Sequence, residues 1–128
     1  MSLTNAFETS TLQYLLTTDS VTRPTAWYIG LFTSDPTDTG SAGTEVSGFD
    51  YARTAATFTV TGDTATNSSA VEFPAASGGN WGTIGWIGIM DASSGGNMII
   101  HSALDVAKAI NDGDVFRIPT GDLDITAS

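Results

Sequence analysis

From Thr25 onward the chain is a series of short aromatic and β-branched runs, cut apart by clusters of Gly, Asp, Ser and Thr. None of these runs has helical spacing, so the hydrogen bonds of this region must be made between strands. Trp27, Tyr28, Ile29, Leu31 and Phe32 form the first run, ended by Ser34-Asp35-Pro36. Apolar residues of both parities predict a strand covered on both faces. Residues 35–48 are rich in Asp, Thr, Gly and Ser and read as a long surface loop. Phe58 and Val60 alternate with Thr57, Thr59 and Thr61, the period of a half-exposed strand. Val71 and Phe73 form a short strand closed by Pro74.

Trp81 to Met90 is the most apolar stretch, with Ile84, Trp86, Ile87, Ile89 and Met90 set among Gly82, Gly85 and Gly88. It reads as a central strand whose glycines admit a close neighbour. A hairpin loop over 91–96 leads into Met98-Ile99-Ile100-His101. Val115, Phe116 and Ile118 follow the turn at 111–114, and Leu123 and Ile125 alternate with Asp122, Asp124 and Thr126. The last pattern is that of a terminal edge strand whose outward aspartates discourage unwanted pairing.

Only the N-terminus has helical periodicity. Leu3, Phe7 and Tyr14 recur at helical spacing, and Leu12, Leu15 and Leu16 widen the stripe. Thr4 or Asn5 followed by Glu8 resembles a capping box, and the polar run 17–20 ends the helix. The expected helix spans residues 3–16. One helix before about six to eight strands spaced by turns indicates an antiparallel β-sandwich of jelly-roll type. With 128 residues the chain is expected to be one domain, an N-terminal helix and linker over 1–20 and a β-sandwich over 25–128.

Four Lys and Arg face 14 Asp and Glu, for a net charge of −10. Nucleic acid and anionic membranes are therefore not expected partners, since both need clustered cations. Arg23, Arg53, Lys108 and Arg117 are scattered instead. No cysteine is present, which removes disulfides, thiol catalysis and thiolate metal sites. Met1-Ser2-Leu3-Thr4 lacks a basic segment followed by an apolar run, so no secretory signal is expected. No stretch approaches the about 20 apolar residues of a membrane helix.

Catalytic patterns are sparse. His101 is the single histidine, it sits in an apolar run, and no G-x-S-x-G elbow accompanies it. Its expected role is structural or interfacial. Asp112, Asp114, Asp122 and Asp124 crowd the C-terminal region, where oxygen-rich turns can hold calcium. Their spacing is not that of an EF-hand loop, and turn formation and an exposed strand face explain them. Asn67-Ser68-Ser69 matches a glycosylation sequon but reads as a polar turn. The chain is expected to be no enzyme and to carry no cofactor. Arg53 follows Tyr51-Ala52 in a chain with few cations, so it should find a carboxylate, within the chain or across a subunit boundary. Trp81, between Gly79-Asn80 and Gly82, is expected in the core or at an interface. The candidate interface residues are thus Phe7, Tyr14, Arg53 and Trp81.

A set of segments in fixed order resembles a family of small tailed-bacteriophage virion proteins, labelled tail fibre, minor capsid or decoration proteins. The segments are residues 27–36 (WYIGLFTSDP), 43–48 (GTEVSG), 51–53 (YAR), 71–74 (VEFP), 81–84 (WGTI), 87–92 (IGIMDA), 95–97 (GGN) and 121–126 (GDLDIT). The likeness covers nearly the whole chain, helix included. Phe49-Asp50 departs from it where glycine is expected before Tyr51. The resemblance implies a virion component made in the host cytoplasm, with other virion proteins as partners. A fibre needs repeats, a coiled coil or an intertwined trimer, and the chain has no heptads or repeats. A capsid decoration or cement protein on the major capsid lattice is therefore the first expectation, forming a homo-oligomer. A tail-associated module (tail fibre, adaptor or receptor-binding protein) is the alternative.

Overall fold

A computed structural model describes residues 2–127. In chain order its elements are β1 (Ser2–Leu3), α1 (Asn5–Leu16), β2 (Tyr28–Phe32), β3 (Thr54–Ala55), β4 (Phe58–Thr61) and β5 (Thr64–Asn67). They continue with β6 (Val71–Glu72), β7 (Gly82–Met90), β8 (Met98–Ile110), β9 (Arg117–Ile118) and β10 (Asp124–Thr126). All pairings are antiparallel, in a five-stranded sheet ordered β1-β8-β7-β2-β3, a three-stranded sheet β10-β5-β4 and the pair β6-β9. The protein is mainly β, an antiparallel sandwich with one N-terminal helix.

The two-sided pattern of residues 27–32 is met as the sequence demands. β2 lies between β3 and β7, with Ile29 opposite Ile89 and Leu31 opposite Ile87. These four side chains share one face of the sheet. With Ile84, and with Val71, Phe73, Phe116 and Leu123 from outside that sheet, they make the main core. The other face carries a second cluster of Phe32, Met90 and Met98, flanked by Tyr28 and Trp86. Gly88 lies on that second face because its neighbours fill the space. A Cβ there would stand 2.5 Å from the Met98 methyl and 3.1 Å from the Phe32 ring.

Several boundaries differ from the sequence reading. Leu3 is not helical; it pairs with Ile100 across β1 and β8. Thr4 occupies the N-cap position but makes no side-chain cap, so the capping box is not formed. Its buried hydroxyl instead donates to the Met98 carbonyl at 2.7 Å. β8 runs well past His101, with a bulge. Ile84 and Trp86 pair with Lys108 and Ala103, so residues 104–107 bow out opposite Gly85. β5 carries no strand signal in the sequence, because Thr64-Ala65-Thr66 offers no large apolar side chain.

Asn67 is not a simple polar turn. Its side chain is buried and uses its full hydrogen-bonding capacity. Nδ2 donates to the carbonyls of Ser69 and Pro119, and Oδ1 accepts from the N–H groups of Gly121 and Leu123, all at 2.9–3.1 Å. This amide fastens the C-terminal turn to β5.

Candidate interaction surfaces

The most organised polar group lies at the edge of β2. Because β3 has only two residues, it pairs with Tyr28 and Ile29 and stops. Beyond it, the Leu31 N–H donates to the Tyr51 hydroxyl at 2.9 Å, and the Tyr51 hydroxyl donates to Glu45 Oε2 at 2.6 Å. The phenol takes up the Leu31 N–H, while the Leu31 carbonyl accepts from the Val46 N–H of the loop after β2. Arg53 meets the same carboxylate in a two-pronged pair, Nε to Oε2 and Nη2 to Oε1, each at 2.8 Å. Arg53 Nη1 donates to the carbonyls of Ala92 at 2.9 Å and Gly95 at 2.8 Å. One guanidinium and one carboxylate therefore tie the loop after β2, the edge of β2 and the tip of the β7–β8 hairpin together.

The electrostatics agree with this geometry. Burial, and then the hydrogen bond to Glu45, push the Tyr51 phenol far above its ordinary pKa, so it stays a proton donor. The hydrogen bond to Glu45 likewise raises the Arg53 pKa, against the opposing effect of burial. Trp81 packs behind this group. It is buried, its Nε1–H donates to the Phe49 carbonyl at 3.0 Å, and its ring meets Tyr51 edge-on with centroids 5.3 Å apart. Phe49 and Asp50, which stand where glycine was expected, have φ of 51° and 64°. Both are held in the left-handed region that glycine enters freely.

Arg53 and Trp81 thus sit in one neighbourhood, engaged within the chain. Phe7 and Tyr14 lie elsewhere, on α1. Phe7 is half-buried against the core, whereas Tyr14 is exposed. His101 Nε2 lies 3.0 Å from Asp38 Oδ1 and joins β8 to the loop after β2. Among the described residues no three His, Asp or Glu side chains gather as a metal site. Asp112 and Asp114 accept hydrogen bonds from the N–H groups of Gly78 and Asn111, and Asp124 accepts from the Thr66 hydroxyl. Glu45 has no distinct signal in the sequence, because Asp35, Asp38 and Asp50 share its stretch of chain and nothing singles it out as the partner of Arg53.

α1 is the unusual element. None of its residues is buried. Leu12, Leu15 and Leu16 are 58%, 66% and 77% exposed, and Tyr14 is 73% exposed. The expected single stripe is absent: Leu16 lies nine residues after Phe7, about half a turn out of phase, so the two point to opposite sides. Phe7 turns toward the protein while Leu12 and Leu16 turn away.

A family model described as "Podophage GP4 fiber I protein gp80" matches residues 2–126. The chain belongs to this family. It is therefore a structural, fibre-related component of a bacteriophage particle, and its work is contact with other virion proteins. The match spans α1, the sandwich and the Glu45–Arg53 group together. No curated protein matches the chain. Among the described residues no helix is long and apolar enough to cross a membrane.

Proposed function

We propose that this protein is a non-enzymatic structural module of the tail fibre apparatus, made in the host cytoplasm and incorporated into the virion as one domain. The fibre-family match over residues 2–126 carries this reading. The geometry supports it, since loops that would be mobile are tied down by Arg53, Glu45 and Asn67, which suits a rigid connector. Trp81 is buried, so it does not offer a ring on which a host sugar could stack. The net charge of −10 disfavours nucleic acid and anionic lipid as partners.

A second reading has one observation in its favour. The core closes within a single chain, as suits a capsid decoration or cement protein docked on a preformed major capsid lattice. Separation of purified virions into heads and tails, with quantitative peptide mass spectrometry on each, tests the assignment. The protein should fractionate with tails, at a copy number set by the fibres. Recovery with heads, in proportion to the major capsid protein, would replace the fibre reading with the decoration reading.

A further inference from the structure

The apolar residues of α1 are divided between two sides. A helix that is apolar on one side only is satisfied by docking on its own core, whereas one that is apolar on opposite sides is satisfied by contacts on both. Phe7 supplies the inner contact. Leu12, Leu15 and Leu16, at spacing i, i+3, i+4, form an outer face that the described residues leave largely exposed. Leu15 and the exposed Val60 of β4 also line one groove, of about 790 Å³, beside the helix, which Glu8 and Asp63 line as well.

Local sequence does little to stabilise this helix. Thr9, Ser10 and Thr11 turn their hydroxyls back onto the carbonyls of Asn5, Ala6 and Phe7, a bonding mode that weakens helices. A helix of 12 residues is marginal in water without packing. An outer contact would supply what the inner one lacks.

Charge and area identify the occupant. The chain carries 14 acidic residues, yet residues 9–18 contain no charged side chain. Two copies of a chain with net charge −10 repel one another over most of their surfaces. The leucine face carries no charge of its own, so copies meeting there oppose like charges only at the groove, where Glu8 and Asp63 stand. A basic partner, by contrast, would be drawn to the acidic surfaces and has no reason to select this one. The exposed parts of Leu12, Leu15, Leu16 and Val60 amount to roughly 270 Å² of apolar surface, taking about 100 Å² for a Leu or Val side chain. As about 60% of an interface is apolar, that patch fits a contact of roughly 450 Å² per copy, the size of a weak, transient association.

We propose that α1 is a homotypic interface, the leucine face of one copy packing on the same face of a second copy. The resulting contact is modest and reversible, and it forms whether copies sit at the tail or on the head. Because the chain has no cysteine, a single introduced one reports its own neighbourhood. Sedimentation velocity on the full chain between 5 and 200 µM (concentrations of about this order suit a small interface) should show reversible self-association. Leu12→Glu and Leu16→Glu should each weaken it at least tenfold, with circular dichroism and melting temperature of the dilute, dissociated protein unchanged. Val106→Glu, which alters an equally exposed valine on β8, should leave it intact. Under mild oxidation Leu16→Cys should give a disulfide-linked dimer and Val106→Cys should not. A monomer throughout the range would overturn the proposal, as would association that survives both leucine substitutions. Head and tail fractionation is untouched by either result, so the two proposals fail separately.

Discussion

Replacing Arg53 with alanine removes four hydrogen bonds at once: two to Glu45 and one each to the carbonyls of Ala92 and Gly95. The arginine and glutamate side chains are only 10% and 23% exposed, so the carboxylate left behind is poorly hydrated. Breaking a buried pair from one side costs about 3–5 kcal/mol, whereas a solvated surface pair is worth about 0–1 kcal/mol. Glu45 keeps its bond from Tyr51, and the tip carbonyls can turn to water, so the expected loss is about 2–4 kcal/mol. For a 128-residue chain that corresponds to a melting temperature lower by roughly 8–15 °C. Arg53→Lys should recover less than half, because an ammonium cannot span both carboxylate oxygens and both carbonyls. Calorimetry gives the loss, and amide exchange should show it concentrated in residues 34–50 and 91–97. A double-mutant cycle with Glu45→Ala should return a coupling of about 1.5–3 kcal/mol. A coupling below about 0.5 kcal/mol would mean that the pair behaves as an ordinary surface pair, and the reasoning would be refuted.

Other residues give independent checks. Tyr51 holds its proton in the folded state at pH values where the unfolded chain, with a phenol pKa near 10, releases it. Stability should therefore be full below about pH 10 and fall above it, by at most about 1.4 kcal/mol per pH unit from this group. Tyr51→Phe should remove that component in pH-dependent denaturant titrations while lowering stability near neutrality, since the Leu31 N–H loses its partner; an unchanged alkaline slope would contradict the assignment. Gly43→Ala should destabilise by about 1–3 kcal/mol, because its Cβ would lie 2.7 Å from the Ser34 carbonyl and 2.8 Å from the Pro36 backbone. Gly85→Ala, whose Cβ meets nothing within 4 Å, should be neutral or stabilising by up to about 1 kcal/mol, and equal losses at the two positions would show that the packing is misread. Asp50→Gly should raise the melting temperature by roughly 2 °C, as it relieves a φ of 64° at an exposed position; a lowered value would mean that the aspartate makes a compensating contact.

Much of the architecture was legible because burial imposes a period that side chains must obey. The both-sided apolar run at Tyr28–Phe32 announced a strand between two packed layers, and the glycines of β7 announced close neighbours. What stayed hidden depends on contacts distant in sequence. β5 is built from Thr and Ala and is a strand only because β4 and β10 lie on either side. Asn67 looked like a turn residue, and its four bonds reach 52–56 residues away in all but one case. Arg53 and Glu45 are eight residues apart, yet the third member of their group, the hairpin tip, is brought in only by the sheet. The spread of apolar residues around α1 was visible, but a sequence cannot say which side the body takes. Phe7 took it, and the leucines were left outward. The fibre family also reverses the order of the two functional expectations, since the absence of repeats in one chain does not prevent a fibre apparatus from using compact modules.

A cryo-electron microscopy reconstruction of the intact particle tests fibre membership most directly. Density matching this sandwich should appear at the tail, among the fibres or at their attachment. The same sandwich arrayed across the capsid lattice, and absent from the tail, would contradict it.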